Sequence, residues 1–247
     1  MTPALLLIAH GSRDPRHAAT VAALVERVRA RRPGLEVATA YLDHCAPRIP
    51  QVVGRLGAAV AVPLLLNRAF HAKHDVPGAL RAAGSGLPVA DVLGPSPLLL
   101  AALERRLAEA GLDVGSAAVR ARTGLVLAAA GSSDPAADAA TRAVADRWRR
   151  TRGWAGVEVA YASASGPRVP AALAALRAAG AVRTAVSPYL LAPGLLPDRI
   201  AADAAGADLV AGVLGAAPEV AELLLERYDG ARAAARAAVP APAALSA

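Results

Sequence analysis

Short runs of apolar residues alternate along the chain with longer amphipathic stretches. This pattern is typical of a parallel β-sheet covered by helices, because buried strands are apolar throughout while each helix keeps one polar face. The predicted strands lie near 4–9, 37–41, 58–66, 89–93, 124–129, 157–161, 184–191 and 209–214. The predicted helices lie near 17–31, 50–56, 76–83, 97–110, 135–152, 170–179, 198–205 and 218–228. The sequence therefore predicts an α/β fold.

The second half of the chain repeats the first. Residues 11–15 match 131–135, and residues 41–50 match 161–170, at the same offset of 120 residues (131 − 11 and 161 − 41). We therefore predict two tandem flavodoxin-like halves, 1–115 and 118–230, each a parallel sheet flanked by helices. The alanine-rich segment 231–247 is expected to be a flexible tail. Since one chain already supplies both halves, we expect a monomer that is a pseudo-dimer.

Charge and composition narrow the range of partners. The net charge is +7, but the arginines are scattered along predicted helices and only 3% of residues are aromatic. That distribution argues against a nucleic-acid partner and favours an anionic small molecule. The single cysteine, Cys45, excludes an intramolecular disulfide and fits a reducing cytoplasm. The apolar run 4–9 is too short to cross a bilayer, so we expect no membrane partner.

All five histidines lie in the first half of the chain. His10 follows the first predicted strand, Asp43 ends the second, and His71 follows the third. Ligands of open parallel sheets bind beyond the carboxyl ends of the strands, so these side chains are expected to share one cleft. Imidazole suits divalent iron, cobalt or nickel and also accepts protons near neutral pH. We therefore predict that His10 and His71 are catalytic and that His10, His71 and Asp43 bind a metal.

The repeat provides an internal comparison for this site. The positions equivalent to the three candidate ligands are Ala130, Ser163 and Leu196. The second half has kept the predicted scaffold and lost each of these ligands. Chemistry is therefore expected in the first half alone.

Further residues near the strand ends could bind an anion. Ser12 and Arg13 precede a predicted helix, whose first N–H groups can hold a carboxylate, and Arg68 follows a strand. His74 is either an additional contact or a surface residue at a helix start. Ser12, Arg13, Arg68 and His74 are our candidates for substrate binding. We expect His17 and His44 at the surface or the rim of the site, and Cys45 as a small buried residue.

Two motifs resemble those of a known family. The segment 9–15 reads AHGSRDP, and the segment 63–77 reads PLLLNRAFHAKHDVP. They resemble the two motifs of the CbiX-type sirohydrochlorin chelatases, whose long members are also tandem repeats. By this resemblance His10 and His71 would bind the metal and accept protons. Asp43 stands where the family commonly has a glutamate, and Ala69 where it usually has a glycine.

The resemblance implies an enzyme that inserts Fe(II) or Co(II) into sirohydrochlorin, an anionic tetrapyrrole. The metal would be a substrate, and no organic cofactor is expected. A tetrapyrrole or metal carrier on the same scaffold is the alternative that the sequence leaves open. A histidine phosphatase also begins with a strand-end His-Gly, but it needs an arginine just before that histidine. Ala9 occupies that place, which argues against a phosphohydrolase.

Overall fold

The computed structural model describes residues 2–67, 74–164 and 166–238. Within this part of the chain the strands are β1 Ala4–Ala9, β2 Val37–Tyr41, β3 Ala59–Pro63, β4 Thr123–Ala129, β5 Gly156–Tyr161, β6 Arg183–Pro188 and β7 Leu209–Val210. The helices are α1 Pro15–Arg31, α2 Ile49–Val53, α3 Val76–Ala82, α4 Pro97–Glu109, α5 Ala117–Arg120, α6 Pro135–Arg152, α7 Val169–Ala178, α8 Leu195–Asp203 and α9 Pro218–Ala237.

The strands form two parallel sheets, one in each repeat. The first sheet has the order β2-β1-β3 and the second has the order β5-β4-β6-β7. In both sheets the first strand of the repeat is central, and every residue of β1 and β4 is buried. Strands buried on both faces are apolar throughout, which explains their continuous hydrophobic runs. The predicted fold class, two parallel sheets flanked by helices, is confirmed.

The fourth predicted strand of each repeat is shorter than expected. In the first half, segment 89–93 contributes only an isolated bridge between Ala61 and Val89. Pro88 has no N–H to extend the ladder, and Val89 is 41% exposed at the sheet edge. In the second half the equivalent strand is the two-residue β7. The short helix α5 was not predicted and lies between the two halves.

The helices that follow the central strands begin at aspartate caps. Asp14 accepts a hydrogen bond from the N–H of Arg16, and Asp134 accepts one from Ala136, each before a proline in the first turn. Asp75, which directly precedes α3, does not cap that helix in the same way. Its backbone is already helical and its side chain makes no cap hydrogen bond. An N-cap needs an extended backbone, so the start of α3 differs from that of α1.

The last helix of the second half packs on the first half. Helix α9 contacts α1 and β3 rather than lying only on its own sheet. The hydroxyl of Tyr228 donates to the carbonyl of Pro3 at 2.5 Å, and the guanidinium of Arg227 donates to the carbonyls of Val92 and Leu93 at 2.8 and 2.9 Å. These contacts attach α9 to the first half of the chain.

The last helix of the first half makes the reciprocal crossing. Helix α4 contacts β6 of the second half and packs along α9. Arg106 on α4 donates to the carbonyl of Leu214 at 2.8 and 3.0 Å, and the indole N–H of Trp148 donates to Glu104 at 3.0 Å. The largest apolar cluster accordingly contains residues of both halves. The two repeats therefore share one core.

Helix α9 extends beyond Ala231, where we expected the flexible tail to begin. It continues to Ala237, and Ala231 packs against the shared core. The segment is rich in alanine, which has the best helix propensity, so a helix anchored by Tyr228 propagates through it. Among the described helices, α9 included, none is long and apolar enough to cross a membrane.

Candidate functional site

His10 lies at the carboxyl end of β1, partly buried. Its carbonyl accepts a hydrogen bond of 2.8 Å from the N–H of Asp43, so the turn after β1 is joined to the turn after β2. Its ring Nδ1 lies 3.1 Å from the carbonyl oxygen of Gly11. Since a carbonyl only accepts, Nδ1 is the donor in this contact, and in the neutral tautomer that makes it, Nε2 holds the lone pair. That lone pair is suited to a metal ion or a proton.

Gly11 allows the two turns to approach each other. Its φ is +93°, in the left-handed region, and a Cβ there would lie 1.8 Å from the carbonyl oxygen of Asp43. A side chain at this position would therefore force the two turns apart. Residue 11 must be glycine for His10 and Asp43 to be adjacent.

Cys45 and Ser12 close the same junction through a sulfur contact. The thiol of Cys45 donates to the carbonyl of Ser12 at 3.0 Å, and the N–H of Ser12 lies 3.5 Å from the sulfur. The hydroxyl of Ser12 accepts from the N–H of Asp14 at 3.1 Å. Cys45 is thus partly buried and connects two loops, which is more than the small buried residue we expected. Ser12 remains a prediction as a substrate contact.

Asp43 is adjacent to His10 through its backbone, but its carboxylate is engaged elsewhere. It accepts from the N–H of His44 at 2.8 Å and from Arg48 at 3.0 Å, and its side chain is 55% exposed. Both hydrogen bonds lower the pKa of the Asp43 carboxyl below its usual value, and the one from His44 has the larger effect. The group is therefore an anion at neutral pH. To bind a metal, it would have to exchange Arg48 for the ion.

Two histidines that we expected at the surface or rim lie near His10. His44 is exposed, with its ring centre 6.3 Å from that of His10. His17 is partly buried, and its Nδ1 is buried with no hydrogen-bond partner in the described part of the chain. Burial lowers the pKa of His17, and the nearby His10 lowers it further. His17 precedes the buried Val21 by four residues in α1, and that helical spacing could have predicted its position.

The structure describes only some of the remaining candidate site residues. Arg13 and His74 are exposed, near the starts of α1 and α3 respectively. His71 and Arg68 lie outside the described residues. Within residues 2–67, 74–164 and 166–238, no group of three or more histidine, cysteine, aspartate or glutamate side chains could hold a metal ion. The metal-binding roles of His10, His71 and Asp43 thus remain predictions.

The second half preserves the backbone of the site without its side chains. Gly131 has φ +86°, and a Cβ there would lie 2.0 Å from the carbonyl oxygen of Ser163. His44 and Ala164 occupy the same left-handed conformation, with φ of 59° and 58°. Ala130 stands where the first half has His10, and the hydroxyl of Ser163 donates to its carbonyl at 2.8 Å. Of two matching turns, only one carries an imidazole.

Two polar bridges join the halves at the carboxyl ends of their strands. Arg16, in the first turn of α1, pairs with Asp198, in the first turn of α8, at 2.5 Å. Asn67, just after β3, donates to the hydroxyl of Thr141 on α6 at 3.0 Å. The first bridge joins the helix after β1 to the helix after β6, and the second joins the loop after β3 to the helix after β4. The His10 end of β1 therefore faces the second half.

Comparison with known proteins identifies the family. The CbiX family model matches residues 4–110 and again residues 124–231. The chain belongs to the CbiX family. Each match covers one structural repeat, so this CbiX chain contains the family unit twice, with the two units sharing one core.

The names of two sequence relatives are in line with this family. The sirohydrochlorin ferrochelatase of Priestia megaterium is 27% identical over 207 residues, which cover 80% of this chain and 76% of that protein. The sirohydrochlorin ferrochelatase of Bacillus subtilis (strain 168) is 27% identical over 210 residues, which cover 81% and 78%. Among solved structures, SirB from Bacillus subtilis with Fe3+ has a TM-score of 0.79 at 24% identity, over 96% of this chain and 98% of that one. At that identity the likeness establishes a shared fold.

The turn at Gly11 gives a first test of how the CbiX site is built. Gly11→Ala should lower the free energy of unfolding by about 3–5 kcal/mol, because it adds a backbone overlap to the cost of a left-handed alanine. The chemical denaturation midpoint measures this. Gly34→Ala is the matched control, since Gly34 has φ +83° and nothing within 4 Å of the added Cβ. It should cost only about 1–2 kcal/mol.

Gly131→Ala separates stability from activity in the same experiment. It places the equivalent overlap in the turn that lacks the imidazole, so it should destabilise the chain about as much as Gly11→Ala. Its activity per folded molecule should stay closer to that of the parent chain. Equal stabilities for Gly11→Ala and Gly34→Ala would show that the close approach to Asp43 is unimportant.

Proposed function

We propose that this chain is a metal chelatase that inserts a divalent metal ion into sirohydrochlorin. Membership of the CbiX family and two relatives named sirohydrochlorin ferrochelatase support the reaction class. The observation that carries the proposal is the contrast between the two matching turns, of which only the first holds an imidazole. If both repeats had only a structural role, there would be no reason for just one of the two turns to hold an imidazole.

The chemistry needs a ligand that releases a metal and a base that accepts protons. Insertion of a divalent ion expels two protons from the pyrrole nitrogens, so charge balances when M²⁺ enters and two H⁺ leave. His10, with its Nδ1 proton directed to Gly11, offers the Nε2 lone pair for either task. We assign the same pair of tasks to His71 from the sequence. Asp43 would add an anionic ligand once it leaves Arg48.

Imidazole and carboxylate ligands bind both iron and cobalt, so either ion is a suitable metal substrate. We propose Fe(II), as for siroheme, or Co(II), as for cobalamin. Steady-state turnover of sirohydrochlorin with each ion, followed by the absorbance of the macrocycle, tests the proposal. If the chain bound the macrocycle without accelerating insertion, it would be a tetrapyrrole carrier on this scaffold, and the enzymatic proposal would be wrong.

The substrate carries eight carboxyl groups, which suits the positive charge of the chain. Ser12 and Arg13 at the start of α1, with Arg68 and His74 from the loop after β3, are the residues we propose for binding those groups. The second half would form the opposite wall of the site, and one chain acting as a pseudo-dimer would then need no partner subunit. The bridge between Asn67 and Thr141 supports this arrangement, because it ties the loop after β3 to the second half.

Salt should weaken substrate binding. Raising the ionic strength from about 0.1 M to about 1 M shortens the Debye length from about 10 Å to about 3 Å, which screens an anionic substrate from a basic protein. The KM for sirohydrochlorin should therefore rise by about tenfold or more, while kcat changes little because the chemical step follows binding. Measuring both constants at fixed metal concentration checks this. A flat KM would show that the positive charge has no role in binding.

A further inference from the structure

The guanidinium of Arg16 lies between two carboxylates. Its Nε and Nη2 donate to Asp14 at 2.6 to 3.0 Å. Its Nη1 and Nη2 donate to Asp198 at 3.2 and 2.5 Å. Both edges of one planar fork are thus occupied in the paired geometry that arginine makes with carboxylates.

The two carboxylates differ in how firmly they are held. Asp14 caps α1 and accepts the N–H of Arg16 itself at 2.9 Å, so it is fixed two residues away in the same turn. Asp198 comes from the other half of the chain, and its side chain is 54% exposed. An exposed ion pair contributes little to stability because water and salt compete with it. Asp14 therefore orients Arg16, while Asp198 is a partner that another carboxylate can replace.

The position of this pair relates it to the proposed site. Arg16 lies in the first turn of α1, six residues after His10, and Asp198 lies in the first turn of α8, beyond the carboxyl end of β6. Asp198 thus approaches Arg16 from the half that would form the opposite wall. A substrate carboxylate entering between the halves would meet Arg16 from that side, and it would find the same two N–H donors.

We propose that Arg16 binds a carboxylate of the tetrapyrrole and that Asp198 occupies this position until the substrate arrives. The inference rests on the proposed function and adds a binding residue to it. Because the bridge between the halves must open for the substrate to bind, Asp198 competes with the substrate and raises its KM. Once the product has left, Asp198 pairs with Arg16 again.

The test is Asp198→Asn, which removes the competing charge and keeps the shape of the side chain. The KM for sirohydrochlorin should fall about two- to fivefold at low salt, the range expected for loss of an exposed ion pair, with kcat unchanged. Asp146→Asn is the matched control, because Asp146 pairs with Arg149 at 2.8 Å and both side chains are similarly exposed. This variant changes the net charge equally, but Asp146 lies far along α6. The KM of Asp146→Asn should therefore stay at the value of the parent chain.

A double-mutant cycle distinguishes the exchange of partners at Arg16 from a general effect of the Asp198 charge on KM. Arg16→Ala should raise KM, and Arg16→Lys should restore part of the binding. In the Arg16→Ala background, Asp198→Asn should no longer lower KM. If it lowered KM equally in both backgrounds, or if Asp198→Asn raised KM together with a lower melting temperature, the exchange of partners would be refuted. A parent chain that neither binds nor converts sirohydrochlorin would instead refute the proposed function, so the two failures are distinguishable.

Discussion

His10→Ala should abolish nearly all insertion of metal into sirohydrochlorin while the fold remains intact. The substitution removes the Nε2 lone pair that we assign to metal transfer and proton acceptance, and general base catalysis alone contributes roughly 10²- to 10⁴-fold. The side chain is only partly buried at the strand end, so its loss leaves no cavity in the core. The kcat with Fe(II) and with Co(II) measures the first effect, and thermal unfolding measures the second. We expect the same loss of activity for His71→Ala.

Two control variants define what this result means. His74→Ala removes an exposed imidazole near the start of α3 and should change kcat much less. Ala130→His, made in the His10→Ala background, places an imidazole in the matching turn of the second half. It should not restore turnover, because Ser163 and Leu196 stand where the other candidate ligands would be needed. Parent-like turnover of His10→Ala would refute the site.

The sequence predicted the elements that place His10, because local patterns determine them. The apolar run of β1 and the segment 11–15 that follows it are visible within a few residues of one another. Their repetition at residues 123–135 predicted a second copy of the same backbone, and the structure has it. For these features, which depend on neighbours in sequence, reasoning from the residues was sufficient.

Features that depend on distant partners were not predictable in this way. Leu99, Leu103 and Leu107 show by their spacing that α4 buries one face, but any sheet could cover that face. Only the fold shows that α4 crosses to β6 while α9 crosses to β3. The pairing of Arg16 with Asp198 has the same cause, since it joins residues 182 positions apart. Neither residue carries a local signal of its partner.

The exchange of helices leads to the second large effect, which concerns the first half expressed alone as residues 1–115. This fragment lacks α9, which covers α1 and β3, and its α4 lacks both β6 and α9. It should therefore not persist as a folded monomer, since it would expose apolar surface of the shared core on both sides. We expect weak binding of sirohydrochlorin and slow insertion wherever the fragment is monomeric.

A homodimer offers the fragment a way to recover. Helices α4 and α9 hold equivalent places in the two repeats, each beginning at a proline, Pro97 and Pro218. In a dimer, α4 of each copy could lie where α9 lies in the whole chain, and a second copy would then stand where the second half forms the wall. Activity should therefore rise with fragment concentration in proportion to the dimer fraction. Light scattering and turnover, measured on the same samples, test this relation.

Co-expression of residues 1–115 with residues 116–247 is the matched control for this experiment, because it keeps both halves and interrupts only the segment between them. The two pieces should assemble through α4 and α9 into a one-to-one complex with parent-like turnover. Since Arg105 on α4 pairs with Glu219 on α9 at 2.6 Å, the variant Glu219→Arg should weaken that assembly more than it weakens the intact chain, in which both helices are covalently linked. A monomeric first half with full activity would show that the second repeat is dispensable, and the proposed two-half site would be wrong.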